Sequence, residues 1–150
     1  MRFFALLTVM AVLFLGSCKK DEVDQMALDE EIIQNYITQR GYMATRTPSG
    51  LYYVIDEPGT GSFPTIDSTV TVRYTGKLSN GGVFDQSSAA GIVFPLSSVI
   101  QGWQEGIPYF REGGSGVLLI PSHLGYGSQP RPTIPANSVL IFELDLLDVN

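Results

Sequence analysis

Ser98-Val-Ile-Gln-Gly-Trp103-Gln-Glu-Gly-Ile-Pro-Tyr-Phe110 is the stretch whose reading decides the fold. Val99, Ile100 and Trp103 fall at i, i+1 and i+4, and Ile107 lies four further on, so the spacing predicts a short helix with one apolar side. Helix nucleation is costly and pieces under about a dozen residues are marginal in water, so the rest of the chain must wrap it. The flanking segments carry the pattern to do so. Upstream, Val70, Val72 and Tyr74 alternate with Thr71, Arg73 and Thr75; downstream, Val139, Ile141, Glu143 and Asp145 alternate with Leu140, Phe142, Leu144 and Leu146. Period-two alternation marks half-buried strands. The expected class is α+β, a curved antiparallel sheet cupped around one short helix, with the chain's only tryptophan at the bottom of the cup.

Composition narrows the function. The 150 residues suit one domain, and 44% apolar with 11% aromatic residues supply a proper core. A formal charge of −6 without clustered Lys or Arg argues against nucleic acid as a partner. Cys18 has no second thiol to pair with, so no disulfide forms within the chain. His123 has no cysteine, second histidine or chelating carboxylate near it in sequence; it reads as a loop residue, and no metal or other cofactor is expected.

The first residues form a targeting segment. Arg2 supplies a positive start, and Phe3 to Leu15 is an apolar run too short for the roughly twenty residues that a membrane span requires. Leu15-Gly16-Ser17-Cys18 then resembles the lipobox of bacterial lipoproteins, which implies cleavage before Cys18 and its lipidation. A lone thiol is a liability in an oxidising compartment, whereas acyl chains on Cys18 would tether the mature protein to a membrane. Lys19 resembles the outer-membrane sorting residue, and Lys20-Asp21-Glu22 a surface-export tag. The expected location is the lipid-anchored cell envelope, at the outer membrane, on either its periplasmic or its surface face.

Between anchor and domain, Leu28, Ile32, Ile33, Tyr36 and Ile37 recur at helical spacing, with Asp29, Glu30 and Glu31 early and Arg40-Gly41 at the close. This helix reads as a spacer on the domain or on a membrane-proximal surface, or as a dimerisation element; oligomeric state stays open. The expected organisation is a signal peptide over 1–17, a tether with an amphipathic helix over 18–47, and a domain over 48–150. Within that domain, Leu51 to Ile55 reads as the first strand, and Ser68 to Leu78 as a strand running into the hairpin signal Ser79-Asn-Gly-Gly82. Glu105 and Glu112 read as solvated.

Several separated motifs follow in order: Val70-Thr-Val-Arg-Tyr-Thr-Gly-Lys-Leu78, Gly82-Val-Phe-Asp85, Phe94-Pro-Leu96, Val99-Ile-Gln-Gly-Trp-Gln-Glu-Gly106, Ile120-Pro-Ser-His-Leu-Gly-Tyr-Gly127 and Ile134-Pro-Ala-Asn-Ser-Val-Leu-Ile-Phe142. From about Gly50 to Asn150 the chain resembles the FKBP-type peptidyl-prolyl cis-trans isomerases. The resemblance implies an antiparallel β half-barrel around the short helix, proline-containing polypeptides as partners, and macrolide inhibitors as further ligands. It implies a pocket of Tyr74, Phe84, Asp85, Val99, Ile100, Trp103, Tyr126, Ile134 and Phe142. Trp103 would be the floor beneath a bound proline and Phe84 and Phe142 the walls. The Ile100 N–H and Tyr126 hydroxyl would be donors to substrate carbonyls, and Asp85 a carboxylate steadied by the Tyr74 hydroxyl. The chain departs from the family pattern in having no Arg or Lys between Asp85 and Gly102, in Ile92 and Leu124 where aromatics are common, in Gly125 before the tyrosine, and in its flap from Ser128 to Thr133. Those departures keep a second reading open, a non-catalytic proline-peptide-binding or chaperone protein on the same scaffold. A hydrolase is disfavoured because Ser87 and Ser88 lie in no nucleophile elbow.

Overall fold

The computed structural model describes residues 24–150; the segment expected to be a signal peptide, and Cys18, lie outside the described residues. In chain order the elements are α1 (Gln25–Arg40), β1 (Thr45–Arg46), β2 (Tyr52–Glu57), β3 (Thr69–Leu78), β4 (Val83–Gln86), β5 (Ile92–Pro95), α2 (Gln101–Gly106), β6 (Ser115–Ile120) and β7 (Leu140–Val149). The strands form one antiparallel sheet in the order β1-β2-β6-β7-β3-β4, and β5 shares the outer edge of β3 with β4. The concave face closes on α2, with Trp103 and Ile107 buried among Val70, Val72, Leu118, Leu140 and Leu144. This is the half-barrel that the alternating strands and the resemblance imply.

Strand β7 shows how the sheet is insulated on both sides. Leu140, Phe142, Leu144 and Leu146 enter the inner core, while Val139 and Ile141 join a second cluster with Tyr52, Val54, Val117 and Leu119. Helix α1 covers that outer cluster with Ile33, fully buried, and Tyr36, 4% exposed. Beyond the helix the outer face turns charged, where Lys77 pairs with Glu143 at 2.6 Å and Arg73 with Asp145 at 3.0 Å. The polar half of the alternation therefore begins where the helix cover ends.

Helix α1 starts at Gln25, capped by the Asp24 side chain accepting from the Met26 and Ala27 N–H groups, and stops at Gly41 in the left-handed region at φ 67°. Asp29 consequently lies beyond the first turn. It is buried at 1% exposure rather than complementing the helix dipole.

Helix α2 is shorter than the spacing predicts. Val99 is extended, Ile100 is the N-cap, and Ile107–Tyr109 continues as a 3-10 turn around Pro108. Two β-branched residues, at the cap and just before it, and a proline after the helix favour these limits. The helix sits on β6 through glycines. A Cβ on Gly102 would lie 2.4 Å from Ile120 Cγ2, and one on Gly106 2.6 Å from Leu118 Cδ2. Glu105 is half-buried rather than fully solvated, its carboxylate accepting from the Thr47 and Ser49 hydroxyls, which the turn before β2 brings against α2.

Candidate active site

The open side of the half-barrel is a cleft of about 360 Å³ whose walls are contributed by six separate parts of the chain. Tyr74 and Phe142 point inward from neighbouring strands β3 and β7, and Phe84 joins them from β4. Gly76 makes this possible. It pairs with Phe142 across the ladder, and a Cβ there would lie 2.6 Å from Phe84 Cζ and 3.0 Å from Phe142 Cε1. With no side chain in the way, the Phe84 and Phe142 rings meet edge to face at 5.5 Å.

Trp103 is the centre of the arrangement. Its ring lies 5.1 Å from Tyr74, 5.1 Å from Phe142 and 5.5 Å from Phe94, each close to perpendicular. Such pairs each contribute about 0.5–1.5 kcal/mol beyond the area they bury, so the floor is held by ring contacts on three sides. The indole Nε1 is buried and has no hydrogen-bond partner among the described residues.

Of the residues named from the sequence, Tyr74, Phe84, Asp85, Val99, Ile100, Trp103, Tyr126 and Phe142 line the cleft. Ile134 does not. It is buried in the inner core, at the base of the 125–139 loop, where its backbone pairs with Arg131. Phe94 and Ser98 also line the cleft and were not among the sequence candidates. The Phe94-Pro-Leu motif was the available signal for Phe94. A larger depression, about 400 Å³, lies on the outer face, but Asp56, Arg73, Glu143 and Asp145 charge its rim and Arg73 is already paired. It lacks the ring-lined floor that keeps water away.

Polar groups in the cleft are few. The Tyr74 hydroxyl donates to Asp85 Oδ2 at 2.6 Å, and Asp85, otherwise exposed, forms no salt bridge among the described residues. Burial, then the Asp85 hydrogen bond and negative charge, push the Tyr74 hydroxyl well above its ordinary value. Because the folded value is raised, whatever this proton contributes to stability is fully present below about pH 10 and is lost only as pH climbs through the raised value. The hydrogen bond to Asp85 thus persists across the neutral range.

The Ile100 carbonyl accepts from the Trp103 and Gln104 N–H groups, opening α2, whereas the Ile100 N–H makes no hydrogen bond among the described residues. Tyr126 sits on the opposite rim with the Arg131 guanidinium 4.8 Å from its ring centroid. Its turn is fixed by the Gly127 N–H donating to the Ser122 carbonyl and by the Asn137 N–H donating to the Gly127 carbonyl.

The family model for FKBP-type peptidyl-prolyl cis-trans isomerase matches residues 60–147, which include every aromatic wall of this cleft. The chain belongs to that family. Among individual relatives, it is 41% identical to the FKBP-type peptidyl-prolyl cis-trans isomerase FkpA of Buchnera aphidicola subsp. Schizaphis graminum, over 87% of this chain and 52% of that protein. It is 39% identical to FkpA of Escherichia coli strain K12, over 87% of this chain and 48% of that protein. The chain spans about half the length of these curated relatives. The crystal structure of Escherichia coli FkpA superposes with a TM-score of 0.76 at 38% identity, covering 87% of this chain and 62% of that one. A peptidyl-prolyl cis-trans isomerase from Pseudomonas syringae pv. tomato gives 0.74 at 30% identity, covering 84% of this chain and 93% of that one. The likeness to FkpA extends past the family span into the N-terminal segment. The aromatic cleft thus stands on an FKBP-type scaffold, and α1 and the turn before β2 are packed against it.

Proposed function

We propose that this chain accelerates rotation about X-Pro bonds in extracytoplasmic polypeptides, held at the cell envelope by a lipid on Cys18. The observation that carries the reading is the meeting of Tyr74, Phe84, Phe94, Trp103 and Phe142 around one open cleft with the Tyr74–Asp85 pair at its side. At about 360 Å³ the cleft falls within the range of small-ligand sites and admits a proline ring with its neighbours.

The chemistry follows from the amide. Its C–N bond is partly double, which sets a barrier of roughly 18–20 kcal/mol and uncatalysed times of tens to hundreds of seconds. No covalent bond or proton has to move. The planar amide is charge-separated and strongly hydrated, while the twisted amide has lost resonance and is less polar. A dry aromatic cup withholds water from the planar form and so favours the twisted one. Trp103 forms the floor under the proline ring, Phe84 and Phe142 the walls, and Val99 an apolar rim; Ile134 acts from behind, supporting the loop. The Ile100 N–H and the Tyr126 hydroxyl hold carbonyls on either side of the bond. Asp85, its carboxylate fixed by Tyr74, faces the twisting amide as a preset dipole. Macrolide inhibitors would compete for the same cup.

The deciding experiment measures cis-trans exchange of a short X-Pro peptide with the purified full chain. Catalysis is expected to exceed the buffer rate, and Asp85→Ala to reduce kcat/KM severalfold while leaving thermal stability near that of the parent, since Asp85 is exposed. A parent rate equal to buffer alone, alongside retained binding of proline peptides, would favour the non-catalytic chaperone reading. For the anchor, Cys18→Ser is expected to move the protein from the membrane to the soluble fraction; unchanged fractionation rejects the lipid tether.

A further inference from the structure

Helix α2 carries the cleft floor, and apart from the ring contacts of Trp103 its own sequence supplies little that fixes its orientation. It has six residues and no side-chain cap at its N-terminus, and it meets β6 through the bare backbone of Gly102 and Gly106. A smooth glycine contact resists rotation and sliding poorly. The charged contact comes from outside the family-matched span. Glu105 Oε1 accepts from Thr47 Oγ1 at 2.7 Å and from Ser49 Oγ at 2.7 Å, and Oε2 accepts from Ser49 Oγ at 2.8 Å.

The donors are themselves rigidly held. Thr47 is 3% exposed, its N–H donates to the Leu51 carbonyl at 2.8 Å, and the turn closes through the Gly50 N–H to the Thr47 carbonyl, with Gly50 at φ 91°. Hydrogen bonds to a carboxylate are about twice as strong as neutral ones, so this contact outweighs any other polar hold on α2. The same device recurs on the opposite rim. Buried Asp29 of α1 accepts from the Ser122 N–H at 2.7 Å and the Ser122 hydroxyl at 2.6 Å, and the Ser122 carbonyl holds the N–H groups of Gly125 and Gly127 on either side of Tyr126.

We propose that the Thr47–Ser49 turn acts through Glu105 as a positioning element, setting the orientation of the Trp103 indole at the floor of the cleft. Glu105 lies two residues after Trp103 on the same short helix, so a rotation of α2 released by loss of the hydroxyls moves the indole directly. The effect on rate rests on the isomerase reading; the effect on the indole does not.

The test uses the purified full chain, in which Trp103 is the only tryptophan, so its emission reports on the cleft alone. Thr47→Val/Ser49→Ala is expected to keep the parent's far-ultraviolet ellipticity, shift the Trp103 emission, raise its quenching by acrylamide, and lower kcat/KM about tenfold, one charged hydrogen bond's worth. Thr47→Ser with Ser49 intact keeps both hydroxyls and is expected to match the parent in every readout. A folded double variant with unchanged emission, quenching and kcat/KM overturns the proposal, as does a Thr47→Ser variant that loses as much as the double one. Should the double variant fail to fold, Glu105→Ala removes both acceptor oxygens and so releases α2 from the turn. A shifted emission from that folded variant supports the proposal and an unshifted one overturns it. If the parent chain proves not to isomerise X-Pro peptides, the isomerase reading fails and emission and quenching still decide the positioning role.

Discussion

A chain shortened to begin at Thr47 will lose most of its stability and expose an apolar sheet face. Helix α1 buries Ile33 completely and Tyr36 to 4% over Tyr52, Val54, Val117, Leu119, Val139 and Ile141. Full burial of one large aliphatic or aromatic side chain contributes about 1.5–3 kcal/mol, and the cut removes two while uncovering the six beneath. The expected loss is about 5 kcal/mol or more, as large as the entire net stability of many domains. Urea unfolding of the shortened chain, compared with one that keeps residues 24–46, should show a midpoint near zero denaturant together with binding of a hydrophobic dye. Equal midpoints would mean that α1 rests on the sheet without stabilising it. The polar contacts of Asp29 with Ser122 and of Tyr52 with Glu30 leave with the helix as well.

Phe142→Ala is expected to give the largest loss of activity among single substitutions. The ring is 5% exposed, touches Tyr74, Phe84 and Trp103 at 5.9, 5.5 and 5.1 Å between centroids, and forms one wall of the cleft. Removing it leaves a cavity, for which a Phe→Ala change in a core costs about 3–5 kcal/mol. On the proposed mechanism it also admits water beside the amide that the cup would keep dry. Each 1.4 kcal/mol lost from transition-state stabilisation is about tenfold in rate, so kcat/KM should fall by at least about tenfold. Phe142→Leu separates the two effects, because it fills much of the volume without the aromatic edge contacts. It should unfold closer to the parent and still isomerise more slowly. A folded Phe142→Leu chain with the parent's kcat/KM would remove Phe142 from the site.

Much of this was legible in sequence because alternation and spacing are local properties. The inward face of β7 was evident in Leu140, Phe142, Leu144 and Leu146, and the hairpin in Asn80-Gly81, where Gly81 indeed adopts φ 89°. The cleft residues were legible only through ordered motifs, since an aromatic ring in a strand reads equally as core or as wall. Phe94 shows the difficulty. Its strand β5 is short and mostly exposed, and apart from the Phe94-Pro-Leu motif no periodicity in Ile92-Val-Phe-Pro95 says that the third residue turns inward to Trp103. Ile134 shows the converse, as a motif residue whose place in the core depends on how the 125–139 loop closes.

By itself, the sequence determined the main strands, the buried short helix and the family, because each depends on side-chain period or on contiguous motifs. Only the tertiary structure decided that α2 meets β6 at its glycines, that α1 roofs the outer face, and that Glu105 is gripped by Thr47 and Ser49. Those facts join residues tens of positions apart. Hydrogen bonds and close packing act over a few ångströms in space, and the spacing of residues along a chain does not specify which distant groups will come that near.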